Sequence, residues 1–148
     1  MHDLNLPPQK ILIKDIDTKK YVFDIIRKKN LLLTPEEWVR QNLVSYFIND
    51  LNYPKGLIKT ESALKYNNLK KRSDILIMNR KMGNFMVVEC KSYKVKLKKS
   101  HLNQIAIYNK VYNSKYIMIS NGMDHFICKY NWNSESFNFI DSIPKYEN

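Results

Sequence analysis

Two apolar runs, residues 75–78 and 85–88, flank a short polar connection at residues 80–83. Both runs are unbroken rather than alternating, which predicts strands buried on both faces. Asp74 opens the first strand, and Glu89-Cys90-Lys91 ends the second. Side chains alternate along a strand, so Glu89 and Lys91 share a face and Cys90 points the other way. A four-residue connection sets Asp74 directly opposite Glu89. Two carboxylates and a lysine then converge at one end of a buried hairpin. Carboxylates that close repel, and a cation between them relieves the repulsion. An oxygen-only donor set of this kind suits Mg²⁺ or Mn²⁺. The same short pattern also arises as a plain ion pair on a solvated sheet edge, and the hairpin residues alone leave both readings open.

Elsewhere the patterning predicts a single domain over residues 1–148. Residues 1–9, with Pro7-Pro8, form a flexible arm. Residues 10–26 alternate apolar and polar positions around Asp17-Thr18-Lys19, as in a hairpin. Residues 27–33 link it to a helix with a clear start: Thr34 as N-cap, Pro35 first, and Glu37 closing a T-x-x-E capping box. The helix runs to about Asp50, with Val39, Leu43, Val44, Phe47, Ile48 and Leu51 on one apolar arc. Glu37 and Arg40 project into that arc, with Gln41 at its edge. Capping alone explains Glu37, and so does a role in a site. Residues 57–66 form a strand that offers Glu61 as a further acid, and residues 67–72 a basic turn. Residues 93–99 alternate strictly, as a lysine-bearing edge strand. Ser100 caps a second helix over residues 101–112, where Gln104 and Tyr108 lie on one face. A buried strand follows at 115–120, then a hairpin of 125–132 and 136–140 around Asn133-Ser134. Residues 144–148 form a frayed tail.

Charge sharpens this picture. The chain has 148 residues and a net charge of +11. Between Lys65 and Lys99 there are eleven basic residues but only two acids, Asp74 and Glu89. The paired carboxylates are therefore islands in a positive field, which attracts polyanions. Lys70, Lys71, Arg72, Lys94, Lys96 and Lys98 are the candidate phosphate contacts. Two cysteines without a CxxC, and three scattered histidines, argue against a disulfide framework or a zinc site and fit a cytoplasmic setting. No membrane-spanning segment, signal peptide or P-loop is encoded.

The predicted order of helix, strand, hairpin, helix and strand is that of the PD-(D/E)XK nuclease core. Asp74, Glu89-Cys90-Lys91 and Gln104-Ile105-Ala106-Ile107-Tyr108 resemble its motifs, the last matching the Q-x-x-x-Y of RecB-like nucleases. The segments LTPEEWVRQ, KKRSDILIMNR, VVECKSY, IYN and SNG resemble the N-terminal nuclease domain of type I restriction enzyme R subunits. The resemblance implies a restriction-endonuclease-like α/β fold: a central mixed sheet flanked by helices, with β-hairpin additions at both ends. It implies a Mg²⁺- or Mn²⁺-dependent deoxyribonuclease. Asp74, Glu89 and the Cys90 carbonyl would hold the metal, with Glu37 completing the set. Lys91 would orient or activate the attacking water, and Gln104 and Tyr108 would position DNA. In the restriction enzymes this domain is fused to an ATP-driven motor, so DNA translocation is not expected of this polypeptide. A separate motor or specificity subunit is an expected partner, and a homodimer is a further arrangement. The alternative is a catalytically silent DNA-binding or docking module.

Overall fold

The computed structural model describes residues 2–66 and 69–146, with backbone alone for residues 62–66 and 69–73, Tyr108 and Val111. Strands β1 (Ile13–Ile16), β2 (Lys19–Asp24) and β3 (Lys29–Leu32) form an antiparallel meander. Asp17 and Thr18 turn β1 into β2 with φ of 47° and 68°. Two left-handed residues give a two-residue hairpin the twist of its flanking strands. Helix α1 (Pro35–Asn49) then starts where the sequence predicts, with the Thr34 hydroxyl accepting from the Glu37 amide at 3.0 Å.

A 3-10 turn (Lys55–Leu57) leads to β4 (Ile58–Tyr66), β5 (Leu69–Met78) and β6 (Asn84–Cys90). Helix α2 (Lys99–Tyr112) follows, then β7 (Tyr116–Ser120), β8 (His125–Asn131) and β9 (Ser136–Ile140). These six strands form one mixed sheet in the order β4-β5-β6-β7-β8-β9. Only β6 and β7 are parallel among these neighbours. Parallel neighbours need a long crossover, and α2 supplies it.

Each helix covers one face of the sheet. Val39, Leu43 and Phe47 of α1 pack with Ile75, Ile77, Met86 and Val88. Leu102, Ile105 and Tyr112 of α2 pack with Leu76, Val87, Ile117 and Ile119. This double coverage is why β5, β6 and β7 read as continuous apolar runs. Each such side chain contributes about 1.5–3 kcal/mol when fully buried. The mixed sheet, its two helices and the terminal β additions agree with the fold expected from the sequence. Among the described residues no helix is long and apolar enough to cross a membrane.

Several local expectations fail for identifiable reasons. The segment expected to link hairpin and helix contains β3, which is short and half polar and pairs only with β2. Of residues 67–72, expected as a basic turn, 67 and 68 lie outside the described residues and 69–72 belong to β5. Residues 93–99 form no strand. Val95 N–H donates to the Ser92 carbonyl in a turn, and Leu97 is buried with α2. Strand β6 already has partners on both edges, so the chain leaves the sheet here to begin the crossover. Ser100 lies inside α2 instead of capping it. The Lys98 amide donates to His101 Nδ1 at 3.0 Å, which moves the N-cap to Lys98.

Both ends are docked where a flexible arm and a frayed tail were expected. Leu4 and Leu6 pack against the core, Asn5 N–H donates to the Gly122 carbonyl at 2.8 Å, and Trp38 Nε1 donates to the His2 carbonyl. Tyr146 packs on Tyr53 and Phe85 and donates its hydroxyl to the Met78 carbonyl at 2.7 Å. Residues 147 and 148 lie outside the described residues.

Gly122 is the point on which the arm closes. Its φ is +83°, and an added Cβ would lie 2.7 Å from Leu4 Cδ2. Gly122→Ala is expected to cost about 1–2 kcal/mol through left-handed strain, with a further effect on the arm. Urea unfolding would read the cost, and faster amide exchange at Asn5 would show the arm released.

Candidate active site

Strand β5 pairs with β6 as Ile75↔Val88. Continuing that register by one residue sets Asp74 against Glu89, as the hairpin pattern predicts. The turn itself is one residue longer than expected and is absorbed by an irregularity between Ile77 and Met78. Asn79 organises this turn, its side-chain oxygen accepting from the amides of Lys81 and Gly83. Asp74 Oδ2 accepts from the Cys90 amide at 2.7 Å, locking the carboxylate to the end of β6. Glu89 Oε1 lies 3.3 Å from Lys91 Nζ. Asp74 is thus tied to the end of β6 that carries the Glu89–Lys91 pair.

Burial pushes the Asp74 carboxyl up to about 6, opposed by the Cys90 N–H and the Arg40 charge, while the charge of Glu89 adds to the rise. Cys90 is buried beneath this cluster, and burial pushes its thiol up. Its side chain is therefore an inert core group, and only its backbone remains available as a metal donor.

The residue that sequence reasoning missed is Arg40. It enters from α1, is only 4% exposed, and lies among four carboxylates. Its guanidinium pairs with Glu61, lies 3.5 Å from Asp74, and lies 3.6 Å from both Glu36 and Glu37. Its Nε makes no hydrogen bond. Burial works against its charge, but Glu37, Asp74 and Glu61 outweigh that and hold its pKa above the usual value. The clue was Arg40's place on the apolar arc of α1: a buried arginine requires anions.

Glu61 reaches Arg40 from an unusual backbone position. Strands β4 and β5 pair at Thr60↔Ile75 and again at Ser62↔Ser73, and Glu61 between them has φ +57°. A non-glycine residue in this region stores strain of order 1–3 kcal/mol.

Glu37 is buried, and its carboxylate serves neither the cap nor Glu89. It accepts from Gln41 Nε2 at 3.0 Å and lies 3.8 Å from Arg27. Arg27 in turn pairs with Asp24 at 2.8 Å. Asp24 is fully buried, yet bonds from the Arg27 and Ile26 amides and the Arg27 side chain hold its carboxyl below the usual value. An alternating chain of charges therefore runs from the meander to Asp74. Among the described residues no three His, Cys, Asp or Glu side chains are grouped closely enough to hold a metal ion.

The other expected residues are more dispersed. Gln104 is exposed on α2, and the Tyr108 side chain lies outside the described residues. Lys94, Lys96 and Lys98 are exposed on the segment after Lys91, which Asn121 steadies through the Val95 carbonyl at 2.8 Å. The side chains of Lys70, Lys71 and Arg72 lie outside the described residues.

Comparison with known proteins matches residues 35–144 to the family described as Type I restriction enzyme R protein N terminus (HSDR_N). No curated protein matches in sequence. Among solved structures, the chain is similar to a fragment assigned as the HsdR subunit of a type I restriction enzyme from Vibrio vulnificus YJ016. The identity is 19% and the TM-score 0.43, over 60% of this chain and 19% of the other. The chain thus spans about a fifth of that relative's length.

Removing the Arg40 charge leaves buried carboxylates unanswered. Arg40→Met is expected to cost about 3–5 kcal/mol at pH 7, measured by urea unfolding. Asp74 gives a pH signature of its own. Its folded pKa is raised to about 6 from 3.8, so its contribution is fully present below 3.8 and is lost as pH rises through about 6. Asp74→Asn, which imitates the protonated acid, should therefore gain stability relative to wild type as pH rises from about 4 to about 7. A constant difference across that range would refute the assignment.

Proposed function

Because the chain belongs to the Type I restriction enzyme R protein N terminus family, we propose that it is a nuclease module of a type I restriction system. In this reading it hydrolyses DNA phosphodiester bonds with Mg²⁺ or Mn²⁺. The supporting observation is the charge imbalance at the end of β5 and β6. Glu36, Glu37, Glu61, Asp74 and Glu89 are answered there by Arg40, by Lys91, and by Arg27, which Asp24 shares. Carboxylates outnumber cations among the described side chains of this cluster, and the donors are oxygens, which fits a hard divalent cation.

Asp74, Glu89 and the Cys90 backbone carbonyl would hold the metal. When bound, the ion would supply Lewis-acid stabilisation of phosphate charge and a water acidified enough to attack. The chain's own residues do the positioning. The Cys90 N–H fixes one Asp74 oxygen and leaves the other facing Arg40. Glu89 holds the Lys91 ammonium at the strand end, where a compact cation can orient water and offset charge on the phosphate. Glu37 belongs to the Arg40 shell in this account, so its proposed service to the metal is through Arg40. Gln104 and Tyr108 on α2 would position the DNA. Lys94, Lys96 and Lys98, together with Lys70, Lys71 and Arg72, would contact its backbone.

One observation favours a second reading. Arg40 already partly neutralises the acids, as in a fold kept for DNA binding or docking without catalysis. The two readings separate experimentally. The nuclease reading expects Mn²⁺ at about a hundred times its dissociation constant to stabilise wild type by about 2.7 kcal/mol. It expects no such gain in Asp74→Ala, and plasmid cleavage that both Asp74→Ala and Lys91→Ala abolish. Equal metal stabilisation and equal cleavage in all three proteins, or salt-sensitive DNA binding with no cleavage in any, would remove the nuclease reading.

A further inference from the structure

Helix α2 packs mainly on β6 and β7 and reaches the last two strands only at Phe126, Cys128 and Phe137. The face of β8 and β9 beyond it is aromatic. Tyr130 pairs across the strands with Phe137, and Cys128 with Phe139. Tyr130 meets Trp132 and Phe137 edge-on, at centroid distances of 4.4 and 4.8 Å. Trp132 and Phe139 remain 54% and 60% exposed, a large apolar surface to leave in water. Two adjoining cavities of about 410 and 210 Å³ lie between this face and α2, and they share Ala106 and Phe137. Together they make one trough.

The charge around the trough is one-sided. Helix α2 and strands β8 and β9 contain no aspartate or glutamate. Glu135 in the β8–β9 turn is the one acid lining it, while Lys99 and Lys110 line it from α2. Those two lysines are about 16 Å apart along the helix. Lys99 directly follows the exposed Lys94, Lys96 and Lys98 segment, so the trough continues a cationic path that begins beside Lys91. Flat aromatic faces within a cationic rim suit a polyanion with flat apolar faces of its own. That describes an unpaired nucleic-acid strand, whose bases stack on aromatic rings while lysines follow its phosphates. In a duplex the bases are stacked on each other and cannot enter.

We infer that the trough between α2 and the β8–β9 hairpin binds single-stranded nucleic acid, with Trp132 and Phe139 as stacking platforms and Lys99 and Lys110 as phosphate contacts. The site lies apart from Asp74 and Glu89 and does not rest on metal-dependent hydrolysis. The chain has two tryptophans, Trp38 and Trp132. Trp38→Phe therefore leaves Trp132 as the sole reporter. An oligothymidylate of about eight nucleotides should quench its emission saturably, and a duplex of the same length should do so far less. In anisotropy with a labelled oligothymidylate, Trp132→Ala and Phe139→Ala should each weaken binding about tenfold. Lys110→Glu should weaken it and flatten its salt dependence. Asp74→Ala should leave all of this unchanged, so a failure of hydrolysis and a failure of this site are distinguishable. Unquenched emission, or wild-type affinity in both aromatic variants, would overturn the inference. So would concentration-dependent self-association lost in Trp132→Ala without oligonucleotide quenching, which would make the trough an interface between copies.

Discussion

A single guanidinium holds the interior of this protein together at its most highly charged point. Arg40 gathers Glu36 and Glu37 from its own helix, Glu61 from β4 and Asp74 from β5. Taking so many charges out of water is costly, and the cost is tolerable only while they remain paired. The pairing explains two features that are otherwise unfavourable. Glu61 keeps a left-handed backbone because that turn delivers its carboxylate to Arg40. Asp24 keeps a charge in a fully buried position because Arg27 joins it to Glu37 and hence to the same network. The small meander and the large sheet are therefore coupled electrostatically, and Thr60 adds a long hydrogen bond of 3.5 Å to Asp24.

The sheet determines where that network can lie. Through most of their length β5 and β6 are sandwiched between α1 and α2, and only apolar side chains fit there. Apolar cover ends at Ile75 and Val88. The next residues on each strand are Asp74 and Glu89, which are partly exposed. Carboxylates placed there are dry enough for charges to interact strongly, yet still reached by solvent. Cys90 is the last buried residue of β6, and its amide fixes Asp74. The position of the site is thus a consequence of where the double-sided core stops.

What could be read from sequence was what depends on neighbours along the chain. Thr34 and Pro35 announced α1, and the unbroken apolar runs announced the central hairpin and its register. Asp74, Glu89 and Lys91 were legible because a hairpin makes their meeting a local matter. Arg40 was not, because its partners Glu61 and Asp74 lie 21 and 34 positions away. The alternation of residues 93–99 misled for a related reason. A period of two signals a strand only if an edge is available to pair with, and β5 and β7 had taken both edges of β6. Tyr146 sits in a charged, unpatterned tail. Nothing local signals that it docks against Phe85, because the ring closes a gap made by Tyr53 and Phe85 far earlier in the chain.

The arrangement of charge also bears on why Arg40 is not a sufficient answer to the acids around it. One positive charge faces four carboxylates, and its Nε is left without a hydrogen bond. Glu89 lies beyond it, and its charge still works against ionisation of Asp74. A guanidinium spreads its charge over a plane and meets acceptors at about 2.7–2.9 Å at best. A small divalent ion concentrates twice the charge and draws oxygens to about 2.0–2.1 Å. In the proposed reading, a cation held by Asp74 and Glu89 would relieve the repulsion between them. The surrounding lysines would repel such an ion in isolation, but they attract phosphate. In the proposed reading, negative interior and positive rim would cooperate only when a polyanion is present, so that ion and nucleic acid would favour each other's binding through the same field.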